Sequence, residues 1–154
     1  MRAFKPYIES VFLYNSELWT LSKSLAKKVD IFQRKQIRRI LGIKWWDKVT
    51  NEDLFKRTKQ EPWSLTIKRR RMMWYGHLMR LPKETPARKA LQEAKRKVKQ
   101  PRGKPKLTWL KLVEKDLGDM GITRDGNEQA QNRQTWRSLV GRAMSVYADG
   151  KRNF

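Results

Sequence analysis

Apolar residues along the chain recur mostly three or four positions apart, and runs alternating apolar with polar are nearly absent, so the pattern predicts helices rather than strands. Between Ser24 and Ile43, the residues Leu25, Val29, Phe32, Ile37, Ile40 and Leu41 fall on one helical face, and Gly42 stands where a helix C-terminus takes a left-handed residue. The other face carries Lys27, Lys28, Arg34, Lys35, Arg38 and Arg39, with Asp30 almost alone against them. Thr50 followed by Asp53 has the spacing of a capping box, which predicts a helix from Thr50 to about Lys59. Beyond Pro62, Ser64 is placed to cap a longer helix through Met79. Its apolar stripe is Leu65, Met72, Tyr75 and Met79, and Lys68 to Arg71 add a basic turn.

Pro86 suits the first turn of a helix whose narrow apolar stripe is Ala87, Ala90, Leu91, Ala94 and Val98. From Lys95 to Lys106 the chain holds seven Lys and Arg, no acid, two prolines and one glycine, a composition that favours an extended, solvated segment. Thr108 then caps a helix bearing Trp109, Val113, Leu117 and Met120. A Gly-containing turn and a last helix around Ala130 to Val146 follow. The expected fold class is all-α. Two small helical lobes, residues 1–98 and 107–154, are expected on either side of a basic linker at 99–106.

Composition changes this picture in two ways. Thirty-seven Lys and Arg against fifteen Asp and Glu give the 154-residue chain a formal charge of +22, which repels itself unless a polyanion neutralises it. Duplex DNA offers about one phosphate charge per 1.7 Å, so RNA, DNA or their hybrid is the expected partner. No apolar run approaches the ~20 residues needed to span a bilayer, and the start MRAFKPYIES lacks the apolar core of a signal peptide. No membrane partner is expected, and the expected localisation is intracellular, nuclear or cytoplasmic. Seven Trp, five Phe and four Tyr are too many large apolar groups for a chain that never folds, so the charge rides on a folded scaffold. Basic faces at 27–39, 68–71, 80–106 and 133–152 interleave with Trp45, Trp46, Trp74, Trp109 and Trp136.

Catalytic chemistry finds few carriers. Without cysteine, the chain has no disulfide, no thiol nucleophile and no Cys-based zinc site, and neither metal nor cofactor is expected. The acids stand mostly singly or as Glu52-Asp53 and Glu114-Asp116, and helix neighbours one or two apart do not converge on a hard cation. His77 is the lone histidine and has no adjacent acid to orient it as a base. The tetrapeptide YADG at 147–150 is similar to the YADD signature of reverse transcriptases. It is read as coincidence, because Asp149 has one carboxylate fewer and follows a helix instead of sitting in a hairpin. The chain is expected to have no catalytic residues and not to act as an enzyme by itself.

Several segments taken together resemble the C-terminal region of the reverse transcriptases of LINE-type, non-LTR retrotransposons. They are LYNSELWTL (13–21), FQRKQIRRILGIKWWDKVTNEDLFKRT (32–58), IKRRRMMWYGHLMRLP (67–82), PRGKPKLTWLKLVEKDLGDMGI (101–122) and RQTWRSLV (133–140). Their order and spacing match as well, and they cover most of the chain. In that family these segments follow the catalytic palm. The resemblance therefore implies a helical thumb and the region beyond it, which grip template and primer. It departs at Asn15, where the family usually has glycine, and the fingers, palm and endonuclease are missing from the sequence. The resemblance implies nucleic-acid contacts at Lys68, Arg69, Arg70, Arg71, His77, Arg80, Arg102, Lys104 and Lys106, whereas Trp45, Trp46, Trp74 and Trp109 are expected to pack. The alternative expectation is a domesticated helical module that docks on a protein, such as the remainder of a reverse transcriptase, through its apolar helix faces.

Overall fold

In the computed structural model, residues 4–95, 103, 106–122 and 126–151 are described, and among them the fold is all-α. In chain order the α-helices are α1 (Ser10–Phe12), α2 (Lys23–Ile40), α3 (Asn51–Thr58), α4 (Trp63–Arg80), α5 (Pro86–Lys95), α6 (Trp109–Asp119), α7 (Gly126–Gln129) and α8 (Arg133–Lys151). A π-helical turn at Phe4–Glu9 and 3-10 turns at Ser16–Leu18 and Trp45–Asp47 complete the set. The chain forms two compact units. One comprises residues 1–16 and 21–68, the other residues 17–20 and 69–154. The division therefore falls inside α4, not at 99–106. Helices on both sides of that basic segment belong to the second unit, where Leu91 of α5 and Val113 of α6 share one apolar cluster.

Local signals explain most helix ends. Thr50 Oγ1 accepts the Asp53 N–H at 3.1 Å and Thr108 accepts the Lys111 N–H at 3.3 Å, the two caps expected from sequence. Gly42 takes φ 66°, which lets the Ile43 N–H reach back to the Arg38 carbonyl at 3.0 Å and close the C-terminus of α2. Asn15 also lies in the left-handed region, at φ 52°. Glycine reaches that conformation without strain and Asn tolerates it better than most residues, so the departure from the resembled family's glycine is sterically mild.

In the first unit the buried face of α2 differs from the expected stripe. Ile37 is fully buried, but Leu25, Phe32 and Ile40 retain 46%, 40% and 46% of their surface, while Gln33 is fully buried. The reason lies at the start of α4, whose first N–H groups have no partner within the helix. Gln33 Oε1 accepts the Trp63 N–H at 2.8 Å, and Gln33 Nε2 donates to the Glu61 carbonyl at 2.8 Å. Asp30 accepts both the Ser64 N–H, at 2.8 Å, and the Ser64 hydroxyl, at 2.7 Å. Side chains of α2 thus cap α4, where the sequence suggested Ser64 itself. Around the cap, Trp63 is buried against Phe4, Phe12 and Phe32, with ring centroids 5.9, 4.7 and 6.1 Å away.

The second unit is built around the apolar side of α4. Met72, Tyr75, Leu78 and Met79 are buried with Leu91, Val113, Ile122, Ala130, Trp136, Val140 and Met144. Three of the four stripe residues expected from sequence, Met72, Tyr75 and Met79, lie in this core; Leu65, the fourth, is buried in the first unit. Trp136 of α8 lies directly over Gly76 of α4 and donates its indole N–H to the Met72 carbonyl at 2.9 Å. Residues 147–150, the YADG segment, are helical and belong to α8.

Candidate nucleic-acid interface

Four consecutive cations, Lys68 to Arg71, cannot share one face, because successive helical residues are turned by about 100° from each other. The structure separates them. Lys68 and Arg71 keep only 5% and 6% of their surface, whereas Arg69 and Arg70 are half-buried on the other side of α4. Arg71 points into the second unit, where Nε and Nη2 donate to Asp116 Oδ2 at 2.8 and 2.6 Å, and Nη1 reaches the Trp19 carbonyl at 3.4 Å. This pair has side chains about 7% and 6% exposed. It ties α4 to α6 and to the segment 17–20, and a guanidinium held this way does not face a polyanion. Of the contacts expected along the basic turn, those at Lys68 and Arg71 fall on buried side chains.

Arg69, Arg70, Met73, Trp74 and His77 fall four residues apart in two rows, and with Glu17 they line an open cleft of about 490 Å³ in the second unit. The cleft is firmly supported. Trp109 Nε1 donates to the Glu17 carbonyl at 2.7 Å, and Arg71 holds Trp19 two residues further on, so the short segment opposite α4 is pinned at both ends. The Trp74 and His77 rings lie 5.2 Å apart at 33°, with His77 exposed and Trp74 half-buried. Arg69 and Arg70 also hold interactions within the chain. Two guanidinium groups suit phosphate oxygens, an indole suits the flat face of a base, and an exposed imidazole adds a hydrogen-bonding group.

The remaining sites lie apart from this cleft. Arg80 is half-buried and donates to the Ala130 carbonyl at 2.8 Å, closing the C-terminal end of α4 together with Gln131, whose Nε2 donates to the Met79 carbonyl at 3.2 Å. Lys106 is exposed ahead of α6. Arg102 and Lys104 lie outside the described residues, as does most of 99–106. Of the nine expected contact residues, the structure gathers Arg69, Arg70 and His77 in one cleft. Glu17, Met73 and Trp74, none of them among those nine, complete its lining. The expectation that the tryptophans pack holds for Trp74 and Trp109, which are half-buried and packed against the apolar cluster of the second unit, and fails for Trp45 and Trp46, which are 87% and 59% exposed.

Tyr75, in the apolar core of the second unit, has its phenol pushed above the usual value near 10 by burial, which outweighs the opposing effect of Arg88. Among the described residues no three His, Cys, Asp or Glu side chains gather as a metal site requires, and no helix is long and apolar enough to cross a membrane. Compared with models of known protein families, with curated proteins and with solved structures, the chain matches none.

Proposed function

We propose that the protein is a non-catalytic nucleic-acid-binding piece that grips RNA, DNA or their hybrid mainly through phosphates. This is the role implied by its resemblance to the thumb and post-palm region of a LINE-type reverse transcriptase. The observation that carries the reading is the cleft on α4, where Arg69 and Arg70 stand beside Trp74 and His77 in a chain of charge +22. Cations position a phosphate chain without reading its sequence, and aromatic faces add stacking that tolerates any base. Exposed Lys27, Lys28, Lys35 and Arg39 on α2, and Arg133, Arg137 and Arg142 on α8, extend the cationic surface within each unit.

The test is to replace Arg69 and Arg70 together by Gln and to leave Arg71 intact. Binding to unrelated sequences should weaken alike, helicity should stay unchanged, and the slope of log K against log salt should fall by about two units for two lost phosphate contacts. Equal affinity for parent and variant would show the cleft to be a solvated face and would remove the support for this reading.

A second reading has its own observation. Leu25, Ile31, Phe32, Ile40 and Leu41 of the α2 segment are each between 39% and 55% exposed, more apolar surface than a helix packed against one side needs. This supports a module that docks on a protein, such as the remainder of a reverse transcriptase. Affinity set by buried apolar area would change little with salt, which separates it from the first reading.

A further inference from the structure

The turn between α2 and α3 holds two indoles in solvent. Trp45 and Trp46 are 87% and 59% exposed and meet edge to face, with centroids 5.7 Å apart and planes at 77°. This exposure does not come from a loose loop. After Gly42, the Lys44 N–H donates to Asp47 Oδ2 at 2.7 Å, and the Asp47 N–H donates back to the Lys44 carbonyl at 3.2 Å. Lys48 then takes φ 48°, a left-handed conformation that costs a residue with a side chain free energy and persists only where its surroundings impose it. Arg38 Nη2 donates to the Val49 carbonyl at 3.2 Å and to Asn51 Oδ1 at 2.9 Å, tying the far side of the turn back to α2. Backbone and polar side chains fix the turn from one helix to the next.

The surroundings of the indoles are cationic. Lys44 and Lys48 flank them and are exposed, while Asp47 has one oxygen engaged by the Lys44 N–H. Large flat apolar faces set among positive charges match a phosphate chain whose bases are unpaired, because such bases offer π-faces that a duplex keeps inside its stack. The angle narrows the choice further. Two indole planes at 77° cannot each stack on neighbouring bases that remain parallel, so the strand must turn between them, which a single strand does readily.

We infer that Trp45 and Trp46 form a stacking site for unpaired bases, giving the first unit a preference for single-stranded RNA or DNA. This rests on the nucleic-acid reading and adds to it a strand preference and a second, separate contact. The test compares the full chain with W45A/W46A and W45F/W46F, using a labelled oligothymidylate and a blunt duplex of equal length. The Ala variant should keep the parent's helicity and lose about tenfold or more in single-strand affinity, the Phe variant should recover most of it, and duplex affinity should change less than about twofold.

Loss of both affinities in equal measure, or no loss of either, overturns the stacking site while leaving nucleic-acid binding intact. If the parent binds neither probe, the stacking site falls together with the proposed function. A fourth arm uses vesicles of anionic and zwitterionic phospholipid. Vesicle binding lost in W45A/W46A, with single-strand affinity unchanged, would overturn the inference in favour of a lipid surface.

Discussion

An alanine at position 76 would place its Cβ 2.2 Å from Trp136 Nε1, 2.4 Å from Cδ1 and 2.9 Å from Cε2. Carbon contacts in a packed interior lie at about 3.5–4.0 Å, so the indole or the helix must move by more than about 1 Å. Neither has an easy direction, because Trp136 is fully buried and its N–H is bonded to the Met72 carbonyl at 2.9 Å. Overpacking costs about 1–3 kcal/mol, and a buried indole N–H left without its acceptor costs about 1–3 kcal/mol more. Replacing a mid-helix glycine by alanine returns about 1 kcal/mol, which leaves a net loss of about 3 kcal/mol for Gly76→Ala. The helices carry their own controls. Gly118 in α6 and Gly141 in α8 meet nothing within 4 Å of an added Cβ, so alanine there should raise stability by about 0.5–1 kcal/mol. Urea unfolding followed by tryptophan fluorescence would measure all three. If Gly76→Ala were as stable as Gly118→Ala, the close approach of α4 and α8 would not exist as described.

Breaking the buried Arg71–Asp116 pair with Arg71→Gln should cost about 3–5 kcal/mol in urea unfolding, because it removes the guanidinium that neutralises a buried carboxylate. A loss under about 1 kcal/mol would mean that Arg71 faces water like its neighbours. Asp30→Ala should cost about 1–2 kcal/mol by uncapping α4, and Ser64→Ala should cost less, since Asp30 would still accept the Ser64 N–H. Equal losses would return the cap to Ser64. For Tyr75, burial makes the folded state hold the phenol proton more tightly than the unfolded chain does. This contribution to stability is therefore present below pH ~10 and lost above it. The stability of Tyr75→Phe should fall less than the parent's between about pH 9 and 11, and parallel curves would contradict the burial of the phenol.

Much of the fold could be read locally because its causes are local. Thr50 and Thr108 cap helices three residues ahead of the N–H groups they accept, and Gly42 terminates α2 through its own backbone. What could not be read depends on partners far along the chain. Gln33 looks like a surface residue until it meets the Trp63 N–H, 30 positions away, and Arg71 looks like its neighbours until it meets Asp116, 45 positions away. The split of the basic run was foreseeable in kind, since four consecutive helical residues face four directions. That Arg71 turned inward depended on Asp116 of α6. The boundary between units was hidden for a related reason: α4 is unbroken across it and carries no proline or glycine near Lys68. For Trp45 and Trp46 the available signal was their place in a short connection between Gly42 and Thr50, outside both expected α-helices.

The most direct test of phosphate gripping is the salt dependence of binding by the intact chain. A labelled primer–template hybrid would be titrated between about 50 and about 300 mM salt. Neutralising roughly five phosphates should give a slope of log K against log salt near −4.5 on duplex DNA and near −3.5 on single strands, from ~0.9 and ~0.7 per contact, with the hybrid also steep. A flat slope across that range would contradict the account despite the charge of +22.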